Sequence, residues 1–153
     1  MKKTKIFNLI IVVFIGILFL TGCGAKNVEG SLEDIMVKVY EKLPEDNTPM
    51  MLMNTEVTDE NVEYYLGTSD IEYEEALASE SGTGSIAHSV VLVRVKDTAN
   101  IEEIKTKIKD NVDARKWICV QAENVVVKNK GNLIILIMTN DGLEELEEGF
   151  NNL

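Results

Sequence analysis

Basic side chains are scarce in this sequence: 15 Lys and Arg stand against 26 Asp and Glu, a formal net charge of −11. A surface of that sign is repelled by nucleic acid and by anionic lipid headgroups, which excludes an electrostatic hold on either. There is one histidine, His88, so nucleophilic catalysis has a single imidazole to serve as its base. The two cysteines, Cys23 and Cys119, allow one disulfide at most. Long apolar runs are equally few. The one present is "IFNLIIVVFIGILFL", Ile6 to Leu20, interrupted by Asn8 and Gly16, and it falls short of the ~20 residues that a membrane-spanning helix needs. There is no G-x-S-x-G elbow and no EF-hand spacing in the acidic stretches "EYEEA" and "EELEE". Gly82 and Gly84 do not lie between a strand and a helix, which excludes a phosphate cradle.

What is present begins with Lys2, Lys3 and Lys5 ahead of the apolar run, a positive n-region followed by an h-region. Leu20, Thr21, Gly22 and Cys23 come next, and this tetrad resembles the lipobox of bacterial lipoproteins. The resemblance implies that Cys23 takes a diacylglyceryl group on its sulfur and that residues 1–22 are removed as a signal peptide. The mature chain would then begin at Cys23 on the extracytoplasmic face of the cell membrane. Burial contributes about 0.8 kcal/mol per CH₂, so two acyl chains anchor stably. The remaining 131 residues carry 12 basic and 26 acidic side chains, a formal charge of −14. Lipid rather than surface charge must then hold the domain at the bilayer. Cys119 is left without a partner, and its apolar flanks, "KWICVQ", predict a buried thiol that packs as a small hydrophobe.

Residues 23–30 lack a pattern and read as a lipidated tether to a single domain over residues 31–153. Ser31 is placed to cap a helix in which Leu32, Ile35, Met36, Val39 and Leu43 share one side, and Pro44 stops it. "PMMLMN" shows no clear pattern; "TDENVEYYLG" predicts a short helix capped by Thr58 or Asp59. A strand is expected over Ile71 to Leu77, then a flexible "SESGTGS". In "SVVLVRVKD", Val91, Val93 and Val95 alternate with Leu92, Arg94 and Lys96, which predicts a strand with one wet face. Asp97 or Thr98 should open a second helix running at least to Arg115, with Ile101, Ile104, Ile108 and Val112 on its apolar side. Two β-branched runs around "NKGN" predict a hairpin, whose second strand, Leu133 to Met138, is apolar throughout and suits a central position. Asp141 and Glu144 predict the start of a terminal helix with Leu143, Leu146, Phe150 and Leu153 inward.

Helices with single apolar stripes need a sheet to cover. The expected fold is α+β, a two-layer sandwich whose mainly antiparallel sheet has about four strands with helices packed on it. The strand, helix, hairpin, helix segment resembles ferredoxin-like architecture. From about Leu32 to Leu153 the chain also resembles a group of Gram-positive lipoproteins known as domain of unknown function 4358. The likeness rests on "VVLVRVKD" (Val90 to Asp97), "NVDARKW" (Asn111 to Trp117) and "NVVVKNKGNLIILIMTND" (Asn124 to Asp141). It implies an envelope location and a fold, and it carries no activity or site residues.

His88 lies near Ser79, Ser81, Ser85 and Ser89, but serines in a Gly-rich loop make a poor catalytic platform. Met50, Met51 and Met53 offer thioethers suited to Cu(I), although methionine more commonly fills gaps in a core or groove. Glu144, Glu145, Glu147 and Glu148 fit the solvated side of the last helix. Tyr64, Tyr65, Tyr73 and Trp117 could anchor a partner or lie in the core. The expectation is therefore a membrane-anchored, non-catalytic binding or interaction module at the cell envelope, with no cofactor and no metal. Its partner would be an envelope protein or small ligand. The alternatives are an enzyme using His88 and metal handling through Met50, Met51 and Met53.

Overall fold

The structure is a computed structural model that describes residues 26–153. Cys23 and the expected signal peptide lie outside the described residues. Four helices and five strands follow the order α1 (Leu32–Tyr40), β1 (Leu52–Glu56), α2 (Val62–Leu66), β2 (Glu75–Ser81), β3 (His88–Arg94), α3 (Ile101–Asn111), β4 (Asn124–Lys130), β5 (Leu133–Thr139) and α4 (Leu143–Asn151). The strands form one sheet in the order β1-β2-β3-β5-β4, and every neighbouring pair is antiparallel.

The α+β class and the antiparallel sheet are as the sequence predicts, with two differences. The sheet has five strands rather than about four, the additional one being β1, which begins within the unpatterned "PMMLMN" and runs to Glu56. It is also covered on both faces, so the domain has three layers rather than two. On one face Ala76, Ala78, Val91, Val93, Ile134, Leu136 and Met138 meet Leu66 of α2 and Ile104 and Ile108 of α3. On the other, Leu77, Val90, Leu92, Leu133, Ile135 and Ile137 meet α1 and α4 through Ile35, Met36, Val39, Leu146 and Phe150. Of the expected wet face of β3, Leu92 is buried beneath α1 and α4 and Arg94 half-buried, while Lys96, beyond the strand, is exposed. Every residue of β5 is buried, as its unbroken apolar run predicts. Close contact between α1 and α4 depends on Gly149, where a Cβ would lie 2.2 Å from the Val39 carbonyl oxygen.

Several boundaries shift for local reasons. Ser31 caps α1 as expected by accepting from the Asp34 N–H at 3.2 Å. The helix at α3 is capped by Asn100 rather than Asp97 or Thr98. It ends at Asn111, where Val112 turns extended, well before Arg115. Likewise Asn61 precedes α2 in place of Thr58 or Asp59, and Gly142, at φ 70°, precedes α4 with no side-chain cap. Strand β2 starts at Glu75 rather than Ile71, so Ser79 and Ser81 stand on β2 and Ser89 on β3, leaving only Ser85 in the connecting loop. At "NKGN" a two-residue turn closes the hairpin with positive φ at Gly131 alone, as a type II′ turn requires. The end of the expected tether lies against the body: Arg94 donates to the carbonyls of Val28 and Gly30, and Asn27 to Asp97 at 2.8 Å.

Candidate binding surface at the β1 edge

Strand β1 is one edge of the sheet, and its pairing with β2 settles which of its main-chain groups remain open. Gly82 N–H donates to the Met51 carbonyl and Val57 N–H to the Ala76 carbonyl, at 3.0 and 2.9 Å. In an antiparallel ladder the bonded pairs alternate. Met51, Met53, Thr55 and Val57 therefore turn their N–H and C=O groups toward β2, while Leu52, Asn54 and Glu56 turn theirs to the free edge. The Glu56 carbonyl is capped by Asn61 Nδ2 at 3.0 Å. Among the described residues nothing bonds the outward groups of Leu52 and Asn54. Met51, at φ 55°, is the one non-glycine residue described in the left-handed region, and it turns the chain immediately before the strand.

Each face of this edge opens into a cleft. Beside Met53 and Thr55 lies one of about 330 Å³ that Tyr64, Tyr65, Glu80, Lys116, Trp117 and Ile118 help to line. Beside Leu52 and Asn54, on the α1 side, lies a shallower groove of about 540 Å³ with Met36, Val37, Tyr40 and Glu41.

The first cleft is built around a buried ammonium. Lys116 Nζ lies 3.1 Å from Glu80 Oε2, with the two side chains only 4% and 12% exposed. It also donates to Ser89 Oγ at 3.2 Å and sits 4.4, 5.0 and 5.3 Å from the ring centres of Tyr64, Tyr65 and Trp117. Burial pulls its pKa below the usual lysine value, and the Glu80 carboxylate opposes that only in part. The Tyr64 hydroxyl donates to the other oxygen of Glu80 at 3.1 Å. Loss of water, then the Glu80 charge, pushes its ionisation up to about 12. Trp117 is buried, and its Nε1 has no partner among the described residues. Around this centre the rim is apolar and open: Met53, Tyr64 and Ile118 are 57%, 51% and 90% exposed.

The structure disposes of the other candidates differently. His88 is buried and bridges three elements: Tyr40 lies 2.7 Å from Nε2 and Thr139 Oγ1 lies 3.1 Å from Nδ1. Because the Thr139 hydroxyl donates to the Asp141 carbonyl, it accepts from Nδ1–H, which leaves Nε2 to accept from Tyr40. Burial lowers the His88 pKa to about 4 and keeps the ring neutral. Both ring nitrogens are thus engaged in holding α1, β3 and β5 together. Cys119 is exposed rather than buried; the segment after α3 forms no regular element, and Trp117 turns inward while Ile118 and Cys119 turn out.

Met50, Met51 and Met53 are exposed rather than in the core, and two of them line separate clefts: Met50 the cavity beside His88, and Met53 the Lys116 cleft. Among the described residues no three His, Cys, Asp or Glu side chains gather as a metal site. Of the acidic residues on the last helix, Glu147 pairs with Lys128 and Glu148 with Lys42. Tyr65 and Tyr73 are half-buried, and Tyr73 packs against the core on the α2 and α3 face. The sequence signal for the Lys116 cluster was absent because its members come from α2, β2 and the loop after α3. No family model matches this chain, and no curated protein or solved structure does.

Proposed function

We propose that this chain is a lipid-anchored, non-catalytic binding module on the extracytoplasmic face of the cell membrane, contacting an envelope protein or small ligand through the Lys116 cleft. The lipobox-like Leu20 to Cys23 supports the location, as does the resemblance to domain of unknown function 4358. The observation that carries the binding role is the cleft itself. A buried ion pair and the rings of Tyr65 and Trp117 lie beneath an exposed rim of Met53, Tyr64 and Ile118. Aromatic anchors around desolvated polar groups are the composition of binding hot spots, where large rigid area is gained with few torsions frozen. Catalysis through His88 is disfavoured because its nitrogens bond Tyr40 and Thr139 rather than facing a nucleophile.

The reading is tested by placing a photoreactive residue at Ile118 in the full chain and irradiating cells. A discrete covalent adduct in the membrane fraction, lost when Tyr64→Ala is added, is the expected result. An Ile118 variant that captures nothing contradicts the role. Recovery of Cys23→Ala acylated and processed like the unaltered chain contradicts the anchor.

A further inference from the structure

We propose that the free edge of β1 receives an extended polypeptide segment in which basic and apolar residues alternate, paired as a sixth strand. The inference rests on the binding-module reading and deepens it by naming the class of partner. Main-chain groups supply the first observation. Leu52 and Asn54 each present an unbonded N–H and C=O outward, and Glu56 adds its N–H. Open edges invite pairing, and proteins ordinarily guard them with lysine, proline, bulges or a covering helix. Within β1 the only charged residue is Glu56, at its end.

The two clefts supply the second observation. Side chains of an added strand alternate between the faces of the sheet, so every other residue would enter each cleft. The chemistry of the clefts differs. On the Met53 face the wall is Tyr64, Trp117 and Ile118, with the Lys116 charge already compensated by Glu80. That side suits apolar residues. On the Leu52 face the groove is lined by Met36, Val37 and Tyr40 together with the exposed carboxylate of Glu41, and the exposed carboxylate of Glu56 stands on the same face of β1. Neither carboxylate is ion-paired among the described residues, so the apolar floor takes a long aliphatic stem and the acids its charged head. That side suits lysine or arginine. A second copy of this acidic chain is the weaker occupant, because it would bring the same uncompensated carboxylates together.

Titration of the full-length chain in detergent micelles with a decapeptide of alternating lysine and valine tests the proposal, read by amide hydrogen exchange. The expected result is at least tenfold slower exchange at the Leu52 and Asn54 amides. Asn54→Pro should weaken binding at least tenfold, since it removes an outward donor and leaves the ladder to β2 intact. The same peptide N-methylated on alternate residues, and a glutamate and valine decapeptide, should give no protection. Absence of protection with the lysine peptide, or equal protection by the glutamate or N-methylated peptide, would overturn the proposal. So would protection that appears without peptide and grows with protein concentration, which identifies a second copy as the occupant. Failure here is distinct from failure of the binding module. A chain that captures an envelope protein through Ile118 while its β1 amides stay unprotected keeps the module and loses the edge.

Discussion

β1 and β4 close the same sheet on opposite sides, and they are finished differently. Every residue of β4 is half-buried. Its Lys128 pairs with Glu147 at 2.7 Å, Lys130 donates to the Asn151 and Leu153 carbonyls, and Asn129 accepts from Lys105. These links tie β4 to α3 on one face of the sheet and to α4 on the other. β1 has no lysine, three of its five residues are exposed, and the clefts on its two faces are open. Guarding an edge is the ordinary defence against unwanted pairing. That one edge of this sheet is guarded and the other is open points to β1 as the side on which the molecule makes contacts.

The contrast can be broken most severely at Thr55. Its N–H faces β2, so Thr55→Pro removes a ladder bond and should cost about 3 kcal/mol or more in a urea melt. Next comes the floor of the cleft. Lys116→Met keeps the volume but strands the Glu80 carboxylate in a buried site, with an expected loss of about 3 kcal/mol. Adding Glu80→Gln should recover most of that loss, and a double variant no more stable than the single one would contradict the ion-pair account.

The third effect is expected at His88, on the central strand β3 rather than at either edge. His88 is neutral when folded, with a pKa of about 4 against 6.5 for an ordinary imidazole. Between those values the unfolded chain binds a proton that the folded chain does not. His88 therefore takes away about 3 kcal/mol of stability as pH falls from 7 to 4. His88→Gln can still bond Tyr40 and Thr139, and should reduce the stability difference between pH 7 and pH 4 by that amount. The smallest effect is expected beside the largest. Asn54→Pro, one residue from Thr55 but with its N–H outward, should cost about 1 kcal/mol or less.

Much of the fold could be read from the sequence because its central elements are regular. The stripe of Leu32, Ile35, Met36 and Val39 gave α1, "NKGN" gave the hairpin, and the unbroken apolar run gave the buried β5. Strand β1 escaped for a physical reason: "LMNTE" is half-wet on both faces and has one β-branched residue, so neither alternation nor propensity marks it. That same openness is what makes it a candidate site. Cys119 was misread because local polarity orients a side chain only where a helix or strand imposes a period. Between α3 and β4 there is none, and 8% exposed Trp117 adjoins 90% exposed Ile118. The cluster of Tyr64, Glu80 and Lys116 is assembled by long-range packing, and no window of sequence contains it.

Residue-resolved amide hydrogen exchange on the full chain, alone and dilute, tests the open edge most directly. Rapid exchange at Leu52 and Asn54 beside slow exchange at Met53 and Thr55 is the predicted pattern. Uniform protection along Leu52–Glu56 would contradict it, because it would mean that both sides of β1 are already bonded.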